Sequence, residues 1–248
     1  MGLPKNNIPS GTIFTMNCGA ELEVLNYNNA TDILVQFTDK LSLPFKAHIG
    51  NIRKGKYKNK YQPYLYGVGY EGIGKYSYKT DKFAARSWRG IITRGYSVIE
   101  RLGRPTTEDV TVCEEWHNFQ NFAEWATQQK GYGIKGFEID KDLLILNNSN
   151  YSPETCCYIP REINTRLPKR YASHDKVYYY KQEGLYKAYY TEADNKRKSI
   201  QGTDKEALAY ERKVILNRII KEISTKYFPY LDEVVIKRLS NYYQLGEY

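Results

Sequence analysis

The sequence predicts an α+β protein in three parts. These are a small N-terminal β barrel over residues 1–62, a central helical and ββα module over 63–168, and a C-terminal three-stranded sheet with helices over 169–248. Three observations predict this. Short β-branched and aromatic segments recur at roughly ten-residue spacing near the N-terminus. Apolar residues at helical spacing occupy the stretch between residues 83 and 129. Tyrosine-rich strand-like runs then precede a long helical pattern after residue 203. A chain of 248 residues is long enough for each part to bury a core.

In chain order, residues 11–15, 21–27 and 33–37 alternate apolar and polar side chains or carry β-branched and aromatic ones. Asn17-Cys-Gly19 and Asn28-Asn-Ala-Thr-Asp32 separate them as turns. Strands this short and this regularly spaced predict a small closed barrel. The Lys-rich edge that follows, at residues 52–60, suits either nucleic-acid binding or a solvated structural face. Residues 61–80 are rich in Gly and Tyr. Gly67, Gly69, Gly72 and Gly74 lack the strand–turn–helix setting of a phosphate loop, so the segment reads as a hairpin or linker. Residues 83–101 read as a helix anchored by Trp88, Ile91, Ile92 and Val98, with Arg86, Arg89 and Arg94 on its other positions. A second helix over 114–129 presents Trp116, Phe119, Phe122, Ala123 and Ala126 on one face and leaves His117 off it. Residues 137–164 read as strand, long turn, strand and helix start, with Pro160 suited to a first helical turn. Three strands follow, at residues 177–180, 185–190 and 196–200. Thr203-Asp-Lys-Glu206 then forms a capping box for a helix whose apolar face is Leu208, Ile215, Ile219 and Ile223, and a last helix spans 228–243.

Composition excludes several classes. There are 25 Tyr, 8 Phe and 3 Trp, too many aromatics for ordinary disorder. No apolar run reaches the length of a membrane span, and residues 1–7 lack the apolar stretch of a secretory leader. Four Cys, two of them adjacent (Cys156 and Cys157), do not read as a disulfide framework. Adjacent strand residues alternate faces, so this pair suits small buried hydrophobes better than a zinc site. The expectation is a cytoplasmic protein with no membrane partner and no small-molecule substrate.

The net charge of +9 is unevenly placed. Residues 46–104 carry 14 basic and 3 acidic side chains, and residues 165–248 carry 17 and 11. Between them, residues 105–164 carry 4 basic and 10 acidic. Basic blocks favour a polyanion through phosphate contacts and counterion release. An acidic patch between them repels phosphate unless a cation sits there, a pattern that suits a nuclease. Within the acidic block, Asp140 and Asp142 close a strand with Lys141 between them, and Asn164 follows Thr155 by nine residues on the expected helix. A ββα nuclease needs a metal-binding side chain at the end of its first strand and a neighbouring base. It needs further ligands on the second strand or the helix, converging on one divalent ion.

Glu138-Ile-Asp-Lys-Asp, Tyr151-Ser-Pro-Glu-Thr-Cys and Pro160-Arg-Glu-Ile-Asn resemble HNH endonucleases of the phage-encoded, homing type. Thr111-Val-Cys-Glu-Glu-Trp-His-Asn-Phe and Arg86-Ser-Trp-Arg-Gly-Ile-Ile fit the amphipathic helices that lead into the motif in that family. The resemblance implies that Asp140 is the first metal ligand and a catalytic residue, and that Lys141 stands where the family has its catalytic His. It places Thr155 at the middle Asn position and Asn164 at the third position, and implies Mg²⁺ or Mn²⁺ held by Asp140, Thr155 and Asn164. Two positions depart from the pattern. A protonated Lys is no general base, and Thr is a weaker ligand than an Asn amide. Either a metal-made hydroxide replaces the His, or cleavage is lost and DNA binding kept.

Tyr178-Tyr-Tyr-Lys-Gln-Glu-Gly-Leu-Tyr-Lys-Ala-Tyr-Tyr, Lys196-Arg-Lys-Ser-Ile and Thr203-Asp-Lys-Glu-Ala-Leu-Ala-Tyr resemble, in layout, the sheet-plus-helix domain of plant ethylene-response-type transcription factors. That resemblance implies that Lys181, Lys187, Tyr189, Lys196, Arg197 and Lys198 face the DNA major groove, with Ala207, Leu208 and Val214 backing the sheet. With Arg53, Lys54, Arg86, Arg89 and Arg94 as further DNA contacts, the expected function is a site-specific, metal-dependent endonuclease acting on duplex DNA in a bacterial host. The alternative is a catalytically inactive, sequence-preferring DNA-binding protein on the same scaffold. An RNA- or protein-binding module is a third reading, because exposed aromatics also stack on single strands.

Overall fold

A computed structural model describes residues 7–103, 109–167, 176–240 and 242. The leader reading at residues 1–6, the expected boundary at 168/169 and the end of the last expected helix lie outside the described residues. The architecture mixes helices with several small sheets. The chain divides into two compact units, Met1–Ser97 with Glu114–Glu124, and Val98–Cys113 with Trp125–Tyr248. No helix among the described residues is long and apolar enough to cross a membrane.

The first unit opens with β1 (Ile13–Thr15), β2 (Glu21–Asn29), β3 (Asp32–Phe37) and β4 (Phe45–Ala47), an antiparallel meander in that order. The sheet is open, which corrects the expected closed barrel. Closure demands a tilted, staggered ladder around the whole circumference. Four strands, of which β1 and β4 span three residues each, do not supply one. Strand alternation decides the core: Leu22, Val24, Ile33 and Val35 point inward with no exposed surface, beside Phe37 and Ala47. Ile52 of α1 (Ile49–Arg53) joins the same cluster. Between β2 and β3, Asn29 Oδ1 accepts from the backbone N–H groups of Thr31 and Asp32, an Asx turn that fixes the register.

The expected helix over 83–101 is two helices, α2 (Lys82–Tyr96) and α3 (Val98–Gly103), parted at the extended residue Ser97. Ala84, Ala85, Trp88, Ile91 and Ile92 are the buried face of α2, whereas Val98 is 69% exposed and anchors nothing. The second expected helix begins as a 3₁₀ turn at Glu114–His117 and becomes α4 (Phe119–Gln128). Its face holds as read: Trp116, Phe119, Phe122, Ala123 and Ala126 are all buried. Buried Trp88 donates its indole N–H to the Trp116 carbonyl at 2.7 Å and stacks on Tyr78 at 5.9 Å. The glycine-rich segment is packed. Gly72 has φ +69, and a Cβ there would collide with the Asn118 amide, while Gln120 bonds the backbone of Glu71 and Tyr76.

In the second unit, β5 (Thr111–Val112) pairs in parallel with β7 (Asn150–Tyr151). β6 (Phe137–Asp140) pairs antiparallel with β8 (Cys157–Pro160), and α5 (Arg161–Asn164) follows directly. The first strand therefore stops at Asp140 rather than running on to Asp142, and the second starts at Cys157, not at Tyr151. Asp140 ends β6 because its side chain accepts the N–H groups of Asp142 and Leu143, turning the chain. The third sheet has the order β11 (Arg197–Gly202), β10 (Leu185–Thr191), β9 (Val177–Tyr180), all antiparallel, as its strand spacing predicts. α6 (Lys205–Thr225) is capped by Asp204, whose carboxylate accepts from Glu206 N and Ala207 N. The capping residue is thus one position later than the expected Thr203. Leu208, Arg212, Leu216, Ile219, Ile220 and Ile223 are buried on α6. Ala207 and Val214 are exposed, which corrects their expected role behind the sheet. Ile215 is only half-buried, so Leu216 takes its place in the face. The last expected helix is a 3₁₀ turn at Phe228–Tyr230 followed by α7 (Glu233–Ser240). Pro229 sits in the turn, and Leu231 is extended after it.

Candidate ββα site and nucleic-acid interface

Alternation along β6 sets out the ββα site. Phe137 and Ile139 take one face; Glu138 and Asp140 share the other with Cys157 and Ile159 of β8, by their pairing register. Asn164, at the end of α5, reaches this second face and donates its amide to Glu138 Oε1 at 2.7 Å. The order β6–β8–α5 thus brings Glu138, Asp140 and Asn164 to one side of the hairpin.

Each expected site residue has an internal task. Asp140 is buried, and its Oδ1 accepts from Asp142 N at 3.0 Å and Leu143 N at 2.7 Å. Burial, reinforced by the Asp142 carboxylate, pushes the Asp140 carboxyl up to about 6 against these two hydrogen bonds. Lys141 is 6% exposed; its Nζ donates to Asp142 Oδ1 at 2.6 Å and to the Asn148 carbonyl at 2.7 Å, and lies above the Tyr151 ring. Asn148 returns the tie by donating to the Lys141 carbonyl. Lys141 therefore clasps both ends of the 141–148 loop. Thr155 Oγ1 donates to the Asn150 carbonyl at 2.8 Å and accepts from Ser152 N at 3.1 Å, closing the loop before β8.

These contacts test the fit of a divalent cation. The Asp140 oxygen described above faces backbone N–H donors, Asn164 faces Glu138, and the Thr155 hydroxyl is spent on loop carbonyls. Asp140, Thr155 and Asn164 thus each hold a separate protein partner. No group of three or more His, Cys, Asp and Glu side chains is placed to share a metal ion among the described residues. Glu138 is the residue the sequence reading passed over, although its two-residue spacing from Asp140 puts it on the same strand face. His117, in the first unit, is half-buried, with Nε2 2.8 Å from the Tyr96 hydroxyl. All four cysteines are free thiols; burial pushes Cys156 up to about 12 and raises Cys157 too.

The C-terminal sheet has two unlike faces. Ala188 is fully buried on the side against which α6 packs, and Arg212 of α6 donates to the Tyr189 carbonyl. The register places Tyr178, Tyr180, Lys187, Tyr189, Arg197 and Ser199 on the opposite face. There the Tyr180 and Tyr189 hydroxyls meet at 2.7 Å. Arg197 lies over the Tyr189 ring at 4.5 Å, and Lys187 over the Tyr180 ring at 4.8 Å. Tyr180, Tyr189, Arg197, Lys198 and Ser199 line a shallow pocket. Arg197 has no ion-pair partner among the described residues, whereas Lys187 is paired with Glu183 at 2.7 Å. Of the expected strand residues, Lys187, Tyr189 and Arg197 therefore share the open face. Lys196 pairs with Asp194 in the β10–β11 turn, and Lys198 pairs with Glu192, which Arg218 of α6 also holds. Lys181 is exposed in the β9–β10 turn. Tyr178 and Tyr180 complete the aromatic row, and only the cross-strand register identifies them.

In the first unit, Arg53, Lys54, Arg86 and Arg89 are exposed and Arg94 is half-buried. Arg89 lies over the Tyr78 ring at 5.0 Å.

Comparison of the chain with protein-family models, with curated proteins and with solved structures finds no match.

Proposed function

We propose that this protein binds duplex DNA through the open face of its C-terminal sheet, on a scaffold of the HNH type in which the ββα element serves binding rather than cleavage. The observation that carries this reading is the row of Tyr178, Tyr180 and Tyr189 on the sheet face away from α6, with the Arg197 guanidinium, which has no ion-pair partner among the described residues. An aromatic and cationic surface of this kind stacks on bases and sugars and donates to phosphate or to guanine edges. The opposite face is committed to α6, so the open side is the one left for a partner. Support for binding over cleavage comes from Lys141, whose ammonium ties a loop together, and from Asp140, whose carboxylate turns one.

A specific observation favours a second reading, a site-specific endonuclease using Mg²⁺ or Mn²⁺. The order β6–β8–α5 is that of a ββα nuclease, and Glu138, Asp140 and Asn164 share one side of it. One experiment tests both. Duplex affinity is measured by fluorescence anisotropy, and plasmid nicking is followed in Mg²⁺ and in Mn²⁺, for the wild type, Arg197→Gln, Tyr189→Ala and Asp140→Asn. Loss of one good base or stacking contact weakens binding about 5- to 150-fold, equivalent to about 1–3 kcal/mol. Such a loss in Arg197→Gln and Tyr189→Ala, with no nicking by any form, is the expected result. Nicking by the wild type that Asp140→Asn abolishes would replace the first reading with the second. Duplex affinity unchanged in both sheet variants would remove the sheet from the interface.

A further inference from the structure

We infer that the N-terminal unit carries further nucleic-acid contacts, which grip phosphates without regard to sequence, at the loop after α1 and at the outer stripe of α2. This rests on the DNA-binding reading above and assigns to it separate contacts.

Charge accounting is the first argument. The acids near these elements are already engaged. Glu71 pairs with Lys60 at 3.1 Å, and Asp32 pairs with Lys46 at 3.0 Å. Asp81 accepts from Ser77 N at 2.8 Å and Thr80 Oγ1 at 2.6 Å, and these bonds hold its carboxyl below the usual carboxylate range. Lys75 pairs with Glu124. What remains is Arg53, Lys54, Lys56, Lys58, Lys79, Lys82 and Arg86, all exposed and all without an ion-pair partner among the described residues. Four of these seven lie within residues 53–58, where no acid intervenes.

The second argument is that the loop backbone is pinned while its charged side chains stay free. Asn17 donates through Nδ2 to the Lys54 carbonyl at 3.0 Å and through its backbone N–H to the Gly55 carbonyl at 2.9 Å. Lys56 N bonds the Asn51 carbonyl, and the Tyr57 hydroxyl accepts from His48 N. Gly55 makes the turn possible: its φ is +61, and a Cβ there would strike Asn17. A partner meeting this loop has little backbone left to order, which removes part of the entropic cost of association.

The third argument is the geometry of α2. At 100° per residue, Arg86 and Arg89 lie within about 60° of one another around the axis and bracket Lys82, so the three form one stripe about 10 Å long. Trp88, Ile91 and Ile92 are buried, so the stripe faces away from the core. Duplex DNA presents a charge every ~1.7 Å of axis, so ~10 Å of it offers about six phosphates to three cations. Arg94, about 80° round from Arg86 and half-buried, falls outside the stripe. An anionic lipid surface suits the stripe less well, because a helix that lies on a bilayer needs apolar side chains beside its cations. The apolar residues of α2 are in the core instead.

The test titrates the full chain against two duplexes of unrelated sequence between about 50 and 200 mM salt. Four proteins are compared with the wild type: Lys82→Gln/Arg86→Gln/Arg89→Gln, Arg53→Gln/Lys54→Gln/Lys56→Gln/Lys58→Gln, Arg86→Lys/Arg89→Lys, and the sheet variant Arg197→Gln. The substituted side chains are exposed, and equal melting temperatures establish that the variants fold. Each phosphate contact contributes about 0.9 to the slope of log affinity against log salt. Full engagement thus predicts slopes shallower by about 2.7 for the stripe variant and about 3.6 for the loop variant, equally on both duplexes, with the Lys-for-Arg variant keeping the wild-type slope. A slope shallower by one unit or more in either charge-removal variant supports these contacts. Wild-type slopes in both overturn them, as does tight binding to phosphatidylserine vesicles with none to duplex. The sheet variant separates the two claims: unchanged affinity there with a shallower slope in the loop or stripe variant leaves these contacts standing and removes the sheet. A wild type that ignores duplexes removes both.

Discussion

Replacing Asp140 by Asn removes a charge and little else. The amide oxygen of Asn can accept the same two N–H bonds, from Asp142 at 3.0 Å and Leu143 at 2.7 Å, that the carboxylate accepts now. Burial raises the carboxyl from 3.8 to about 6. The folded protein therefore holds its proton between these values while the unfolded chain releases it. Where the native state binds more protons, stability falls as pH rises. The wild type should thus lose stability from about pH 4 to about pH 6 on account of this group and change no further above that. The shift, at 1.36 kcal/mol per unit, amounts to about 3 kcal/mol. The Asn variant has no such titration. Its stability relative to wild type should improve by about 3 kcal/mol between pH 4 and pH 7, measured by urea unfolding of both proteins across that range. Asp140→Ala should instead be less stable than Asp140→Asn at every pH, by about 1–3 kcal/mol, because the buried Leu143 N–H and the part-buried Asp142 N–H lose their acceptor. A constant difference between wild type and Asp140→Asn across the range would refute the claim that a desolvated carboxylate sits at the end of β6.

Gly72→Ala should cost about 2–4 kcal/mol, from a left-handed backbone and a collision with Asn118 together. Gly67→Ala, at φ +74 with open space around it, should cost only the backbone part, about 1–2 kcal/mol; chemical denaturation of the two separates the terms. Trp88→Phe removes the buried indole hydrogen bond to the Trp116 carbonyl and leaves a gap beside Phe119. It should lower stability by about 2–4 kcal/mol, with loss of the near-ultraviolet circular dichroism of the packed tryptophans, and a neutral outcome would remove this bond from the core.

Periodicity made the elements legible and left their ends and partners obscure. The 114–129 face and the three C-terminal strands follow from apolar spacing alone, since burial on one side is all that such spacing encodes. Ser97 breaks a helix that apolar spacing carries through, because Val98 looks like another anchor until its surroundings are known. Closure of a barrel is likewise a property of strand number and stagger, and the spacing of residues 11–47 is the same for an open meander. At the C-terminal sheet the sequence could offer only a pool of basic and aromatic residues. The pairing of Ala188 with Val177 and Ile200 assigns one face to α6, and Tyr178, Tyr180, Lys187, Tyr189 and Arg197 fall together on the other.

The ββα site was legible in its order and not in its chemistry, and Lys141 explains why. A motif fixes which residue follows which, so the hairpin, the helix and the position of Asn164 could be placed from the sequence. It does not fix what each polar atom is bonded to. In this chain the residue beside Asp140 is a long cation, and it crosses the loop to Asp142 and the Asn148 carbonyl. The clasp ties the two ends of the 141–148 loop, and Asp140 accepts the N–H groups of the turn that opens it. Asn164 is left to Glu138. The contacts of Lys141, which the order of the elements does not encode, thus decide that residues 141–148 form a braced loop.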